Sequence, residues 1–484
     1  MKKNSIVKNY IYNLSYQILA IIIPIITIPY LSRVLGAENI GIYSFTLSIT
    51  TYFILFGSVG VDMYGQREIA YVQGDFDNRS NIFWEIFIIK FMALTISIII
   101  FFFIFCIDGE YSVFYKILSL EIIANAMDIA WFFKGIEEFK KTVMRNMLAK
   151  LVSLICIFLF VKTSNDLWKY LLIYVLSTSI GNLSVWIYLP KYIKRVNFRS
   201  LSFKKHFKPV LLLFIPQIAT QIYTVLDKTM IGIIISNKSE VGYYEQAQKI
   251  IKLLITIATA LGTVMMPRIA ASYSTGNVKK IKEYMYKSFS FILFVSFPLS
   301  LGLISVSYNF VPIFYGSGYD KVAPLLCVMS PVMIIIGLSN VVGIQYLLPT
   351  KQQNKYTISV IAGALINVIF NIVLINFFAS IGAAISTIIA ELVVLMSQLI
   401  LTKNELNIKD VFQISKKYFI ASMIMFVISI SLSCFINNYY ISIMVQVIVS
   451  AIIYLVILFL LKDDLLLDII KRIKIITVKL KKRE

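Results

Sequence analysis

Apolar residues run along this chain in long blocks separated by short polar turns, and most blocks have the length of a membrane crossing. At about 20 residues per crossing, the pattern predicts about fourteen helices. They fall near 11–31, 40–60, 82–106, 112–133, 144–161, 167–189, 209–235, 241–265, 288–314, 322–348, 355–376, 380–401, 417–436 and 440–461. No connection is long enough for a separate soluble domain. The seventh and eighth blocks break the pattern. PVLLLFIPQIATQIYTVLDKTMIGIIIS carries Asp227 and Lys228, and the block after Asn237-Lys238-Ser239-Glu240 carries Glu245, Lys249 and Lys252. A charge near the middle of a span costs about 2.5–3.5 kcal/mol, so five in one hairpin are expected to face protein or water. Spacing agrees. Gln217, Gln221, Thr224 and Lys228 recur at threes and fours, as do Glu245, Lys249, Lys252, Thr256 and Thr259. Each helix then has one polar stripe and one apolar back, which points to a transport pathway.

Composition settles the class. The 484 residues are 59% hydrophobic and 15% charged, with a mean hydropathy of +0.82, the balance of an all-α integral membrane protein. The net charge of +21 would suggest nucleic acid in a soluble chain. Here Lys and Arg gather instead in alternate connections: Lys2, Lys3 and Lys8, then 134–150, 191–208, 268–287 and the tail after Lys462. The intervening connections contribute only Arg33, Lys162, Lys169, Lys238 and Lys321. That bias predicts cytoplasmic termini and an even number of crossings, with the basic loops against anionic membrane lipids and no nucleic-acid partner. The N-terminal block contains Pro24 and Pro29, ends at Arg33 and has no small-residue cleavage site, so it reads as an uncleaved first helix. Cys106, Cys156, Cys327 and Cys434 lie far apart in apolar runs, with neither disulfide nor metal spacing. His206, the one histidine, falls in a basic loop. No metal, no cofactor and no built-in ATPase are expected.

An internal repeat appears at an offset of 201. GIYSF at Gly41 matches GYYEQ at Gly242, and Arg67-Glu68-Ile69-Ala70 matches Arg268-Ile269-Ala270-Ala271. Six crossings per unit make the two units parallel repeats about an axis along the membrane normal. The expected division is therefore 1–208 for helices 1–6, 209–403 for helices 7–12, and 404–484 for a peripheral helix pair and basic tail.

The candidate site residues are charges placed at membrane depth. Arg33, Lys228, Lys249 and Lys252 are candidates for a cationic cavity. Three lysines in the hairpin face two acids, Asp227 and Glu245, which leaves a cation seeking an anion. Lysine holds phosphate as a flexible point charge and arginine can do so bidentately. Arg67 and Arg268 occupy matched repeat positions at an inner mouth, and read equally well as cytoplasmic anchors. Asp62, Asp128 and Glu391 are candidate ion-coupling acids. Glu121, Asn125 and Asp128 are spaced for one face of the fourth helix, while Asn367 and Asn371 suit interhelical hydrogen bonding.

Several stretches resemble a known family. Asn13-Leu14-Ser15-Tyr16-Gln17 through IPYLSRVLGAENIGIYSF, GQREIA at 65–70, DIAWFFKGIEEFK at 128–140, LDKTMIG at 226–232 and EVGYYEQAQKI at 240–250 are similar to bacterial polysaccharide repeat-unit flippases of the O-antigen type (Wzx-like). These belong to the multidrug/oligosaccharidyl-lipid/polysaccharide exporter superfamily. The resemblance implies two six-helix lobes around a central cavity that opens alternately inward and outward. It also implies an undecaprenyl-diphosphate-linked oligosaccharide as substrate, the bacterial inner membrane as location, and the polysaccharide polymerase machinery as a partner. Twelve helices are common in that family, so the last pair is an addition. A multidrug or organic-cation exporter would need an acidic or aromatic cavity, against the lysine surplus. A polysaccharide polymerase or ligase would need a large outer loop, and every outer connection is short.

Overall fold

The computed structural model describes residues 3–406 and 408–471, and these form helices with no strand. The basic tail beyond 471, Lys2 and the side chains of Lys3, Lys8 and Gln217 lie outside the described residues. The chain divides into two compact units, Met1–Gly242 and Tyr243–Glu484.

The first unit opens with α1 (Lys3–Ser58), two helices that meet at Gly36, where φ is 79°. There follow α2 (Val61–Tyr71), α3 (Phe76–Phe101, prolonged by a π-helical turn to Cys106), α4 (Ser112–Ala126), α5 (Ala130–Gly135), α6 (Phe139–Phe160), α7 (Leu167–Ser184) and α8 (Lys204–Ile234). The segment continues into α9 (Ser239–Thr259), which leads to α10 (Gly262–Ser274), α11 (Val278–Tyr315), α12 (Val322–Met329) and α13 (Val332–Asn340, prolonged to Leu347). Last come α14 (Gln353–Leu401), broken at Ala379 with φ 50°, then α15 (Ile408–Phe435) and α16 (Tyr439–Leu460). Among the described residues nine helices are long and apolar enough to cross a membrane, ten if α9 and α10 count as one bent span. The expected fourteen blocks merge in part: α1 and α14 each hold two.

The repeat offset reappears in the element bounds. Ser58 ends α1 and Thr259 ends α9, while Val61 opens α2 and Gly262 opens α10, each pair 201 residues apart. It reappears again as a contact. A Cβ on Gly41 would strike the Lys238 carbonyl oxygen, and a Cβ on Gly242 would strike the carbonyl oxygen of Ala37. Ala37 and Lys238 are themselves 201 apart, so the contact within the first unit is reciprocal, residue i on j′ and j on i′.

Packing explains several of the quoted motifs. Trp131, Phe132 and Phe133 of α5 are no more than 2% exposed and form an aromatic core with Phe83 of α3 and Ile69 of α2. The Phe83 and Trp131 rings stack at 5.6 Å. Gly65 leaves room for the Trp131 ring and Gly135 for Ile69, so GQREIA and AWFFKG are two halves of one interface. In the second unit, α15 and α16 pack along α11 through Tyr418, Ala421, Met425, Tyr454 and Leu458. Short polar bonds pin them: Ser429 Oγ to Ser305 Oγ at 2.9 Å, Asn309 to Ser442 at 3.0 Å, and Tyr454 Oη to the Phe294 carbonyl at 2.7 Å. Buried hydroxyls and amides joining helices in this way suit a bilayer, where apolar burial alone does not drive helix association.

Candidate functional site

The charges of the predicted hairpin divide between α8 and α9. On α9, Tyr244, Ala247 and Ile251 are buried as the apolar back, while the stripe grades outward from buried Glu245 through half-buried Lys249 to exposed Lys252 and Thr256. Lys249 Nζ lies 3.2 Å from Glu245 Oε1, one turn away on its own helix. Tyr244 Oη meets Thr387 Oγ1 of α14 at 3.0 Å. On α8, Asp227 is buried, Lys228 half-buried and Gln221 exposed. The next residue anchors the helix: Thr229 Oγ1 donates to Ser48 Oγ at 2.8 Å and meets Tyr52 Oη at 3.1 Å. Gly232 lies against the Phe45 ring. Lys238, in the turn, donates to the Gly232 carbonyl at 2.5 Å and sits 4.9 Å over the Phe45 ring. Burial holds its ammonium below the ordinary lysine pKa.

The arginines are placed at the surface of their elements. Arg33 is exposed, three residues before the break at Gly36. Arg67 pairs with Glu68 at 2.9 Å and lies 5.3 Å over the Tyr64 ring. Arg268, its repeat counterpart, is exposed on α10.

Two of the candidate coupling acids enter one ion network. Lys90 of α3, 1% exposed, donates to Asp62 Oδ1 at 2.8 Å and to the Asp128 carbonyl at 3.2 Å. Arg145 of α6 reaches Asp128 Oδ1 at 3.3 Å. Asp128 is not on α4, contrary to the spacing. That helix stops at Ala126, and Asp128 Oδ1 accepts from the Ala130 N–H two residues on at 2.9 Å. Glu121 does lie on α4 and is buried; Asn125 donates to its carbonyl, and its Oε2 has no hydrogen-bond partner among the described residues. In the second unit Glu391 is buried on α14, and Asn371 donates to Asn367 at 3.1 Å, one turn away on the same helix and not the interhelical bond the sequence suggested.

Sequence reasoning passed over Lys90, Glu85 and His206. His206 is not in a loop. It occupies the first turn of α8, 2% exposed, with Nε2 2.8 Å from Glu85 Oε2 and Nδ1 2.7 Å from Tyr64 Oη. Glu85, 1% exposed, also takes Lys205 Nζ at 2.8 Å and the Ser202 N–H at 2.7 Å. A carboxylate so deep needs every one of these donors. The signal was available: Glu85 and Lys90 are charges inside an apolar block, and each had to have a partner.

The comparisons extend this picture. Residues 6–273 match the polysaccharide biosynthesis protein family, and residues 213–373 match the MatE family. A protein of Escherichia coli K12 described as "Putative O-antigen transporter" is 26% identical over 407 residues, covering 83% of this chain and 98% of that one. The lipid II flippase MurJ of Bacillus subtilis is 28% identical over 159 residues, 32% of this chain and 29% of that one. Among solved structures, lipid II flippase MurJ in an inward closed conformation superposes with a TM-score of 0.74 over 95% of this chain and 99% of its own, at 17% identity. An inward-facing multidrug resistance MATE family transporter gives 0.59 over 82% of this chain and 99% of its own, at 15% identity. More than half of the sequence lies within the first family match, and both structural likenesses show the same fold. The chain therefore belongs to the polysaccharide biosynthesis protein family, as a Wzx-like member of the multidrug/oligosaccharidyl-lipid/polysaccharide exporter superfamily.

Proposed function

We propose that this protein flips a lipid-linked oligosaccharide, carried on undecaprenyl diphosphate, from the cytoplasmic to the outer leaflet of the bacterial inner membrane by alternating access. It is a transporter and not an enzyme. The observation that carries the reading is the family match across residues 6–273, together with an O-antigen transporter relative that aligns over 98% of its own length. Fourteen crossings, in two six-helix lobes of parallel repeats with α15 and α16 added, fit the recurrence at 201 residues. The positions of the basic connections support cytoplasmic termini, and the polysaccharide polymerase machinery is the expected acceptor of the product.

The chemistry is binding and release. A sugar diphosphate cannot enter hydrocarbon unaided, because burying an ion costs several kcal/mol or more. Arg33, Lys228, Lys249 and Lys252 are proposed to line a central cavity that offsets this cost, with Arg67 and Arg268 near its inner mouth. Asp62, Asp128, Asp227, Glu121, Glu245 and Glu391 are the acids proposed for coupling or gating. The membrane potential, negative inside, favours outward movement of an anion by about 2.3 kcal/mol per charge per 100 mV. The likeness to multidrug transporters favours a second reading, organic-cation export, but surplus lysine suits the opposite charge.

The experiment is single replacement of Lys228, Lys249 and Lys252 by Ala in the native host. Surface polysaccharide should fall while the protein stays in the membrane, and lipid-linked glycan should accumulate on the inner leaflet. Normal polysaccharide in all three variants rejects the cationic cavity.

A further inference from the structure

In the first unit α8 packs on α1 and α2, and its first turn meets α3 where Glu85 takes Lys205 and His206. Gly60, at φ 74°, allows the approach to α2: a Cβ there would lie 3.1 Å from Phe214 Cα. The space left beside α3 is an apolar groove holding two cavities, of about 520 and 340 Å³, that share Ala93 and Ile96 in their walls. From Ile88 to Ile100, α3 lines it over about 18 Å at 1.5 Å per residue, more than half of the roughly 30 Å hydrocarbon core. The polar side chains in the wall, Tyr52 and Ser97, have their hydroxyls engaged, with Thr229 and with the Phe53 carbonyl at 2.7 Å. Nothing polar is left to hold water, so the groove takes hydrocarbon.

One end of the groove is marked by charge. Phe207 and Leu211 of α8 line the wider cavity, and Lys204 and Lys208 share their helix face at three- and four-residue spacing. Both lysines are exposed and neither makes an ion pair among the described residues, whereas Lys205 between them is held by Glu85. An apolar slot ending at two available ammonium groups matches a long hydrocarbon tail bearing a multiply charged head. A phospholipid diester offers one negative phosphate charge; a diphosphate engages both lysines.

We infer that this groove seats the polyprenyl tail of the lipid-linked substrate, with Lys204 and Lys208 touching its diphosphate at the cytoplasmic entrance. The inference rests on the flippase reading above and adds a tail site to it. Full-length protein in phosphatidylcholine vesicles is irradiated with a polyprenyl diphosphate carrying a diazirine on its distal isoprene, and labelled peptides are located by mass spectrometry. Label is expected on 88–100 and 203–211. It should fall about tenfold, the equivalent of 1.4 kcal/mol, in Ala93→Trp, which plugs the shared wall, and similarly in Lys204→Glu with Lys208→Glu. Ile96→Trp replaces Ala93→Trp if that variant does not accumulate. A diazirine-bearing phosphatidylglycerol that labels the groove and is not displaced by excess polyprenyl diphosphate would make it a bilayer-lipid site and overturn the inference. Label on other helices from vesicles that still flip a lipid-linked oligosaccharide overturns the groove alone. No label and no flipping overturns the flippase reading with it.

Discussion

Adding one methyl group to Gly41 or Gly242 should have the same effect at either position. At Gly41 the new Cβ would overlap the Lys238 carbonyl oxygen, 2.7 Å from its carbon and 3.0 Å from the Gly242 nitrogen. At Gly242 it would overlap the Ala37 carbonyl oxygen, 3.0 Å from its carbon and 3.2 Å from the Gly41 nitrogen. Ordinary contact begins near 3.4 Å, and backbone carbonyls cannot rotate away as a side-chain tip would. The second half of α1 and the start of α9 must therefore separate. Overpacking of this kind costs about 1–3 kcal/mol, while replacing a mid-helix glycine by alanine returns about 0.5–1 kcal/mol. The net is destabilisation of this contact by up to about 2 kcal/mol, or a factor of about 30 in its population. Because one separation relieves both overlaps, Gly41→Ala with Gly242→Ala should cost about as much as either alone instead of the sum. The assay is the maleimide labelling rate of a single cysteine placed at Ala37, read beside surface polysaccharide. Labelling should rise equally in both single variants and no further in the double. Unchanged labelling with Gly41→Val, or strict additivity in the double, refutes the reciprocal contact.

The Asp62–Lys90 pair should respond asymmetrically, because Lys90 is 1% exposed and the Asp62 side chain 57%. Asp62→Ala leaves a buried ammonium short of its counter-ion and should cost about 3 kcal/mol, the low end for breaking a buried pair, whereas Lys90→Met should stay within about 1 kcal/mol. Thermal unfolding in detergent measures both, and equal losses would refute the burial argument. Glu405 supplies a pH test. Burial works to raise its pKa, but donors from Lys355 at 2.7 Å, Tyr346 at 2.6 Å and Gln352 at 2.7 Å outweigh it and hold the carboxyl below the ordinary value. Its stabilisation is thus present above the ordinary glutamate pKa of about 4.3 and is lost as pH falls below that through the lowered value. The melting-temperature gap between wild type and Glu405→Gln should be present at pH 6 and close on further acidification; a gap that widens sends the reasoning back.

The legible part of the fold was whatever periodicity can report. Lys249, Lys252 and Thr256 fall on the more open side of α9, since side chains three and four apart share one face of a helix, while Glu245 on the same spacing is buried. The offset of 201 was legible too, and it returned as a contact between two glycines. Periodicity says which face a residue occupies but not what stands opposite. Lys90 finds its acid 28 residues away and His206 finds Tyr64 142 residues away. No local window holds such pairs. Asp128 was misplaced for a smaller reason: α4 stops at Ala126 and the Asp128 carboxylate takes the Ala130 N–H two residues on, a local bond of the kind that competes with helix continuation.

The motifs that carried the family resemblance turn out to combine two jobs in the same few residues. In LDKTMIG, Thr229 and Gly232 lock α8 to Ser48, Tyr52 and Phe45, while Asp227 and Lys228 sit beside them. In EVGYYEQAQKI, Gly242 locks α9 to Ala37 and Tyr244 reaches Thr387, while Glu245 and Lys249 take the next turn. In GQREIA, Gly65 and Ile69 belong to the aromatic core and Arg67 stands between them at the surface. Charges interleaved with packing residues on one rigid helix are held in place by their neighbours, as a binding site on a scaffold requires. Loss of transport on mutating a motif is therefore ambiguous until the two jobs are separated. Lys228→Ala should remove function with the melting temperature unchanged, and Thr229→Val should lower the melting temperature by unpairing Ser48 and Tyr52. If both variants lose stability together, the charge is part of the packing and the cationic cavity loses its support.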